Sequence, residues 1–256
     1  MMTSPTKAAI GRDFAQKRGN YFQENYGIET PQNLVRRLRR RLILGAVGEK
    51  ARGGRVLDAG CGPAILYPEV LEHCSHYVAL DLASANLEEI ASRNPNPKVE
   101  CKQSDLDAFE WPKEDFDVII CGGAIEYTSD AEHVLLKMVD ALRVGGLLVC
   151  SFPSALSPYR IWSEYFYTPL SQLRRRLFGV RVNRYPRRLF FPFKVRQLLA
   201  DQVGECDLRC FGQKLLLQPL DAVFPRLDQS LDTSFERHRI RWIENFASEF
   251  IVIARK

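Results

Sequence analysis

The run Arg55-Val56-Leu57-Asp58-Ala59-Gly60-Cys61-Gly62-Pro63-Ala64-Ile65-Leu66 constrains this chain more than any other. Val56 and Leu57 read as the end of a buried strand, and Gly60 and Gly62 follow at once. Pro63 then opens an apolar-periodic run through Ile65, Leu66, Val70 and Leu71. Proline suits the first helical position, where the amide it lacks has no intrahelical partner. Strand, glycine turn and helix leave backbone N–H groups and a helix N-terminus at the carboxyl end of a strand, where open α/β sheets bind ligands. A dinucleotide fingerprint requires a third small residue where Ile65 stands. The carboxylate of Asp58 beside the turn also suits a cationic ligand, an ammonium or a sulfonium, better than a pyrophosphate. Both points disfavour an NAD-dependent reductase.

Strand and helix signals then alternate. Residues 63–74 read as helix, His76 to Leu82 as strand, Ser84 to Arg93 as helix and Val99 to Gln103 as strand. Phe116 to Cys121 is the most apolar strand. Ser129 to Leu142 is expected to be a helix capped by Ser129 and ended by Gly145-Gly146, and Leu147 to Phe152 is the fifth strand. Buried apolar strands joined by helices imply right-handed crossovers and a parallel sheet. Three carboxylates recur at strand ends: Asp58 after the first, Asp81 after the second and Asp105 after the third. Asp is common in such turns as a cap or turn former. Three in succession beside a glycine turn point to a ligand site.

After Pro153 the regularity breaks. Residues 153–193 form an insertion too long for an ordinary connection, and such excursions serve as lids or binding elements. Phe193 to Val203 reads as helix and Cys206 to Phe211 as strand. Residues 214–246 form a second insertion, partly helical around Trp242, and Glu249 to Ala254 is the last strand. Ahead of the sheet, residues 1–50 form an N-terminal helical segment. Its stripe is Leu34, Val35, Leu38, Leu42 and Val47, and Arg36, Arg37, Arg39, Arg40 and Arg41 are read as its solvated face.

The net charge of +5 is unevenly spread. Residues 165–200 hold nine Arg or Lys and no Asp or Glu, which leaves −4 for the remainder. Tyr, Phe, Leu and Pro are interleaved with that basicity, a mixture suited to an anionic lipid surface or lipid-like substrate. A nucleic acid is the less favoured partner, because the remainder offers no extended basic track. The seven cysteines are scattered through strand-like runs, the pattern of reduced thiols used as small hydrophobes. No run approaches the ~18 apolar residues of a membrane span, and residues 1–16 lack the apolar core of a signal peptide. A cytoplasmic location is expected. Cys206-x3-Cys210 lacks a second ligand pair nearby and His73-x2-His76 flanks a strand start, so no metal is expected.

The stretch at 55–66 resembles motif I of the class I S-adenosylmethionine-dependent methyltransferases, and the likeness extends over 55–152 and, loosely, to the last strand. It implies a Rossmann-like, mostly parallel seven-stranded sheet with helices on both faces, an antiparallel last strand and an inserted lid, residues 51–256 forming the methyltransferase domain. It implies S-adenosyl-L-methionine as cofactor. Gly60, Cys61 and Gly62 would present backbone to the methionine moiety, with Asp58 near its ammonium group. Asp81 would accept the ribose hydroxyls, with Leu82 against the adenine. Asp105 would receive the adenine amino group and the Leu106 amide would meet a ring nitrogen. Cys121 and Gly122 would offer carbonyls to the ammonium, and a segment carrying Tyr21 and Tyr26 would fold over the cofactor. Residues 116–153 look most like the ubiquinone- and lipid-type small-molecule enzymes, in which an acid and a His often follow the fourth strand. Glu126 matches the acid and is the candidate base, whereas Tyr127 stands in the His position. The expected activity is methyl transfer, O-methylation favoured, to a small or lipid-like acceptor. An RNA methyltransferase and a non-catalytic S-adenosylmethionine-binding protein are the alternatives.

Overall fold

The central strands are buried on both faces, and their successive apolar residues alternate between two cores, as a period of two requires. The computed structural model describes residues 33–62, 67–93, 95–178, 187–238 and 245–256. Leu57, Val78, Leu80, Ile119 and Leu148 pack on one face beneath α4 (Ala131–Ala141) and α7 (Pro192–Ala200). Val56, Tyr77, Ala79, Ile120 and Val149 pack on the other against α1 (Leu34–Val47), α2 (Tyr67–Leu71) and α3 (Ser84–Arg93). Residues 1–32, with Tyr21 and Tyr26, and residues 63–66, where the helix after the glycine turn was expected to start, lie outside the described part.

The seven strands are β1 (Arg55–Ala59), β2 (His76–Asp81), β3 (Val99–Gln103), β4 (Phe116–Gly122), β5 (Leu142–Pro153), β6 (Glu205–Phe211) and β7 (Glu249–Arg255). Their order is β3-β2-β1-β4-β5-β7-β6. The first five pair in parallel, and β7 runs antiparallel to both β5 and β6. This is the Rossmann-like sheet that the resemblance implied. The order reverses between β1 and β4, and ligands bind outside the carboxyl ends of strands at such a switch point. Because β7 is antiparallel, its first residue, Glu249, lies at that same edge, opposite Pro153 and Phe211.

Two expected boundaries shift. The helix before β5 is capped by Asp130, whose carboxylate accepts from the His133 amide at 3.0 Å. The Ser129 amide is instead held by Asp107 at 2.8 Å. Asp107 thereby fixes Ser129 one residue ahead of the cap. Gly145-Gly146 does not end that helix. The chain enters β5 at Leu142, and the glycines lie in an irregularity of the β4–β5 register, with Gly145 at φ 78°. The second insertion is helical at α8 (Leu220–Val223) and α9 (Pro225–His238), whereas Trp242 lies outside the described residues.

The first insertion leaves β5 as one helical stretch: α5 (Pro158–Ile161), a wider π turn at Trp162–Tyr167, and α6 (Thr168–Leu177). It returns through Arg187–Phe190. There the Phe190 amide donates to the Pro153 carbonyl at 2.9 Å, and the Arg188 amide donates to the Glu126 carbonyl at 3.1 Å. The insertion is thus stitched to the carboxyl ends of β4 and β5.

Candidate active site

The turn after β1 requires glycine for two separate reasons. Gly60 has φ 75°, and a Cβ built on it would lie 2.3 Å from Ala124 Cβ, in the loop after β4. Gly62 has φ 52° but open space around it. Gly60→Ala should therefore cost about 3 kcal/mol, from left-handed strain plus overpacking. Gly62→Ala should cost only about 1 kcal/mol, from strain alone. Chemical denaturation of the two variants measures the difference, and equal losses would refute the close approach of the β1 and β4 loops.

The turn's amides are largely spent inside the fold. Gly60 and Cys61 both donate to the Leu80 carbonyl, at 2.8 and 3.0 Å, and the Gly62 amide donates to Asp81 Oδ2 at 2.7 Å. Asp81 Oδ1 accepts from the Ala83 amide at 2.8 Å and from Asn86 Nδ2 at 2.9 Å. Asp81 is therefore a fixed, half-buried carboxylate facing the glycine turn, and its remaining acceptor capacity is that of one lone-pair direction. The turn's N–H groups are thus engaged within the fold. Leu82 is half-buried next to Asp81, with its carbonyl held by Gln103 Nε2 at 3.3 Å. Asp105 accepts from the Asp107 amide at 3.1 Å, and Leu106 is buried behind it.

Asp58 is buried, and the Tyr77 hydroxyl donates to its Oδ2 at 2.6 Å. Burial pushes its pKa up to about 7; the Tyr77 bond opposes this, and the nearby Asp81 charge adds to it. Two carboxylates thus lie close together at the ends of β1 and β2, and the charge of one raises the pKa of the other.

At the end of β4, Cys121 is buried and Gly122 half-buried. The Gly122 carbonyl accepts from Arg39 Nη1 at 3.2 Å. Arg39 also donates from Nε and Nη2 to Glu249, at 2.9 and 2.6 Å, and Arg160 donates from Nη2 to the same carboxylate at 2.5 Å. Burial acts to raise the Glu249 pKa, but Arg39 and Arg160 outweigh it, so the group is held below the usual range. Residues of α1, β7 and the inserted helix thus meet beside the carboxyl end of β4. Arg39 is accordingly no solvated residue of its helix.

Glu126 lies in the turn Ile125–Tyr127, buried, with Oε2 lacking a hydrogen-bond partner. Burial raises its pKa against the pull of Arg39 and Arg187. Arg187 donates from Nε to the Tyr127 hydroxyl at 2.9 Å, its guanidinium 5.9 Å from the centre of that ring. A Tyr–Arg pair occupies the place where the resembling enzymes often carry a His. Arg39, Arg160, Arg187 and Glu249 escaped sequence reasoning. The only sequence signal was a Glu opening the last apolar strand.

Residues 57–150 match a family model described as "Methyltransferase domain". Over these residues the chain is similar to a methyltransferase domain. Over 101 residues the chain is 29% identical to the ubiquinone biosynthesis O-methyltransferase of Ruegeria pomeroyi, covering 39% of this chain and 41% of that one. Over 103 residues it is 28% identical to the phosphatidylethanolamine N-methyltransferase of Cereibacter sphaeroides, covering 39% and 50%. The chain therefore spans half or less of the length of these curated relatives. The magnesium protoporphyrin IX methyltransferase of Synechocystis PCC 6803, solved with bound SAH, superposes with a TM-score of 0.60 at 12% identity, covering 98% of this chain and 100% of that one. At that identity the likeness is one of fold. The methyltransferase domain's cofactor fits the site on the protein's own evidence, since a sulfonium and an ammonium would supply the positive charge that Asp58 and Asp81 lack.

Proposed function

We propose that this chain transfers a methyl group from S-adenosyl-L-methionine to a small-molecule or lipid-like acceptor, with oxygen the favoured acceptor atom, and works in the cytoplasm. One observation carries the reading: the Asp81 carboxylate is held at the glycine turn by the Gly62 amide, with the buried Asp58 carboxylate close enough to feel its charge. When bound, the cofactor supplies an electrophilic methyl group on a charged sulfur. Asp58 neutralises the ligand's positive charge, and Asp81 takes the ribose edge. Leu82, Asp105 and Leu106 form the adenine end, and the main chain at Cys121 and Gly122 borders the methionine end.

On the acceptor side, Glu126 is the group placed to take a proton from a hydroxyl as the new C–O bond forms. Its burial lifts its pKa toward the range in which a carboxylate works as a base. A carboxylate acceptor would need no base. The insertion over the β4 and β5 ends excludes water from the displacement.

Calorimetry with S-adenosylhomocysteine and with NADH tests the cofactor reading: binding of the first alone supports it, and binding of NADH alone overturns it. Single-turnover transfer of labelled methyl groups to a cell extract tests the activity, because a non-catalytic binding protein would leave the label on the cofactor. In that assay Glu126→Gln should slow transfer by about 10²-fold or more, the ordinary share of general base catalysis. Its affinity for S-adenosylhomocysteine and its melting temperature should be unchanged. An undiminished rate would assign the acceptor to the classes that need no base.

A further inference from the structure

The helical insertion has two faces of opposite character. Its inner face is anchored by polar bonds. The Tyr159 hydroxyl donates to Asp221 Oδ2 at 2.9 Å, Arg160 grips Glu249, and Trp162 Nε1 donates to the Gln218 carbonyl at 2.8 Å. These contacts fix the helix's roll and join it to the second insertion. Its outer face carries Phe166, Leu170, Leu173 and Leu177 at intervals of three or four, one stripe of a helix, with Tyr165 beside it. From Tyr165 onward these side chains are 56–77% exposed. A run of large apolar side chains left in water along one helix marks an interaction surface.

The charge around the stripe decides what the surface meets. Residues 165–200 carry nine basic residues and no acid. Among the described ones, Arg174, Lys194 and Arg196 are exposed, as are the aromatic rings of Phe191 and Phe193 on the return of the insertion. We propose that this face docks on an anionic bilayer, with the helix lying in the headgroup region, its apolar stripe toward the acyl chains and its basic residues on the lipid phosphates. Amphipathic helices with aromatic and leucine residues on one side and basic residues around them bind in this way. A second copy of the chain fits less well, because a twofold contact would set this uniformly basic segment against itself. No helix among the described residues is long and apolar enough to cross a membrane, so the contact is peripheral. The same helix reaches the Arg39–Glu249 pair beside the end of β4 through Arg160. The docking surface requires no particular acceptor and stands or falls separately from the methyl-transfer reading.

The intact protein, sedimented with vesicles of mixed phosphatidylglycerol and phosphatidylcholine, should bind them and should ignore phosphatidylcholine alone. Raising salt from about 50 to about 500 mM should reduce binding roughly tenfold, as screening of surface charge requires. The double variant Phe166→Glu, Leu170→Glu should bind at least about tenfold more weakly at low salt while melting at the wild-type temperature, since both positions are exposed. Equal binding to neutral vesicles, or full binding by the double variant, would overturn the proposal. So would salt-sensitive RNA binding in a filter assay without vesicle preference, or a dimer that the double variant dissociates and that ignores vesicles.

Discussion

Asp58→Asn should make the ligand-free protein more stable at pH 8 and cost roughly a hundredfold in affinity for S-adenosylmethionine. In the folded chain the Asp58 pKa is raised to about 7 from 3.8. A raised acid favours folding while it stays protonated, and that advantage is lost as pH climbs toward and through 7. Above pH 7 the buried charge opposes folding by up to about 4 kcal/mol. Asparagine keeps an acceptor for the Tyr77 hydroxyl but brings an amide in need of a partner, which costs about 1–3 kcal/mol. The variant should thus melt higher than wild type at pH 8 and no higher at pH 5. Binding moves the other way, because a cationic ligand in the wild type pairs with the carboxylate, and a hundredfold is about 2.7 kcal/mol. Below pH 7 wild-type binding should also release a proton, visible as a calorimetric enthalpy that depends on the buffer. Identical melting curves at both pH values together with unchanged affinity would remove Asp58 from the cation site.

The largest loss of stability is expected at Glu249. Its carboxylate is buried between Arg39 and Arg160. Glu249→Ala leaves two guanidiniums facing each other with their partner gone, a change worth about 3–5 kcal/mol. For a domain of this size that lowers the melting temperature by roughly 10 °C. The pH dependence has the opposite sign from Asp58. The Glu249 pKa is lowered in the folded state, so its contribution is complete above the ordinary carboxylate range and disappears as pH falls through the depressed value. The gap between wild type and variant should therefore narrow in acid. Cofactor affinity should fall as well, since Arg39 also braces the Gly122 carbonyl. A melting temperature within about 1 °C of wild type at pH 7.5 would show that the two arginines find other partners.

Much of the domain was legible residue by residue. Each strand and the turn after it are written in a short window, with an apolar run, then Asp or Gly, then helical spacing. The windows ending at Asp58, Asp81 and Asp105 led to a parallel sheet with carboxylates along one edge, and that edge is where the structure puts them. The boundary errors at Ser129 and at Gly145-Gly146 have local causes of another kind. Asp107, far away in sequence, claims the Ser129 amide, and a strand irregularity takes up glycines that resemble a helix stop.

The sequence by itself determined the order of elements, the glycine turn and the carboxylates at the strand ends, because these depend on neighbours a few residues apart. Tertiary structure alone decided the rest. The grip of Arg39 on Glu249 spans 210 positions, and no periodicity in either segment announces it. Whether Arg39 belonged to a solvated face or to the site depended on the helix's roll against the sheet and on the antiparallel entry of β7. The bonds from the turn amides to the Leu80 carbonyl and the Asp81 carboxylate exist only because the fold brings those acceptors within reach. Burial was likewise a tertiary outcome: the same Asp58 that looks like an ordinary anion in the sequence is buried beneath Tyr77 and beside Asp81, and its pKa rises to about 7.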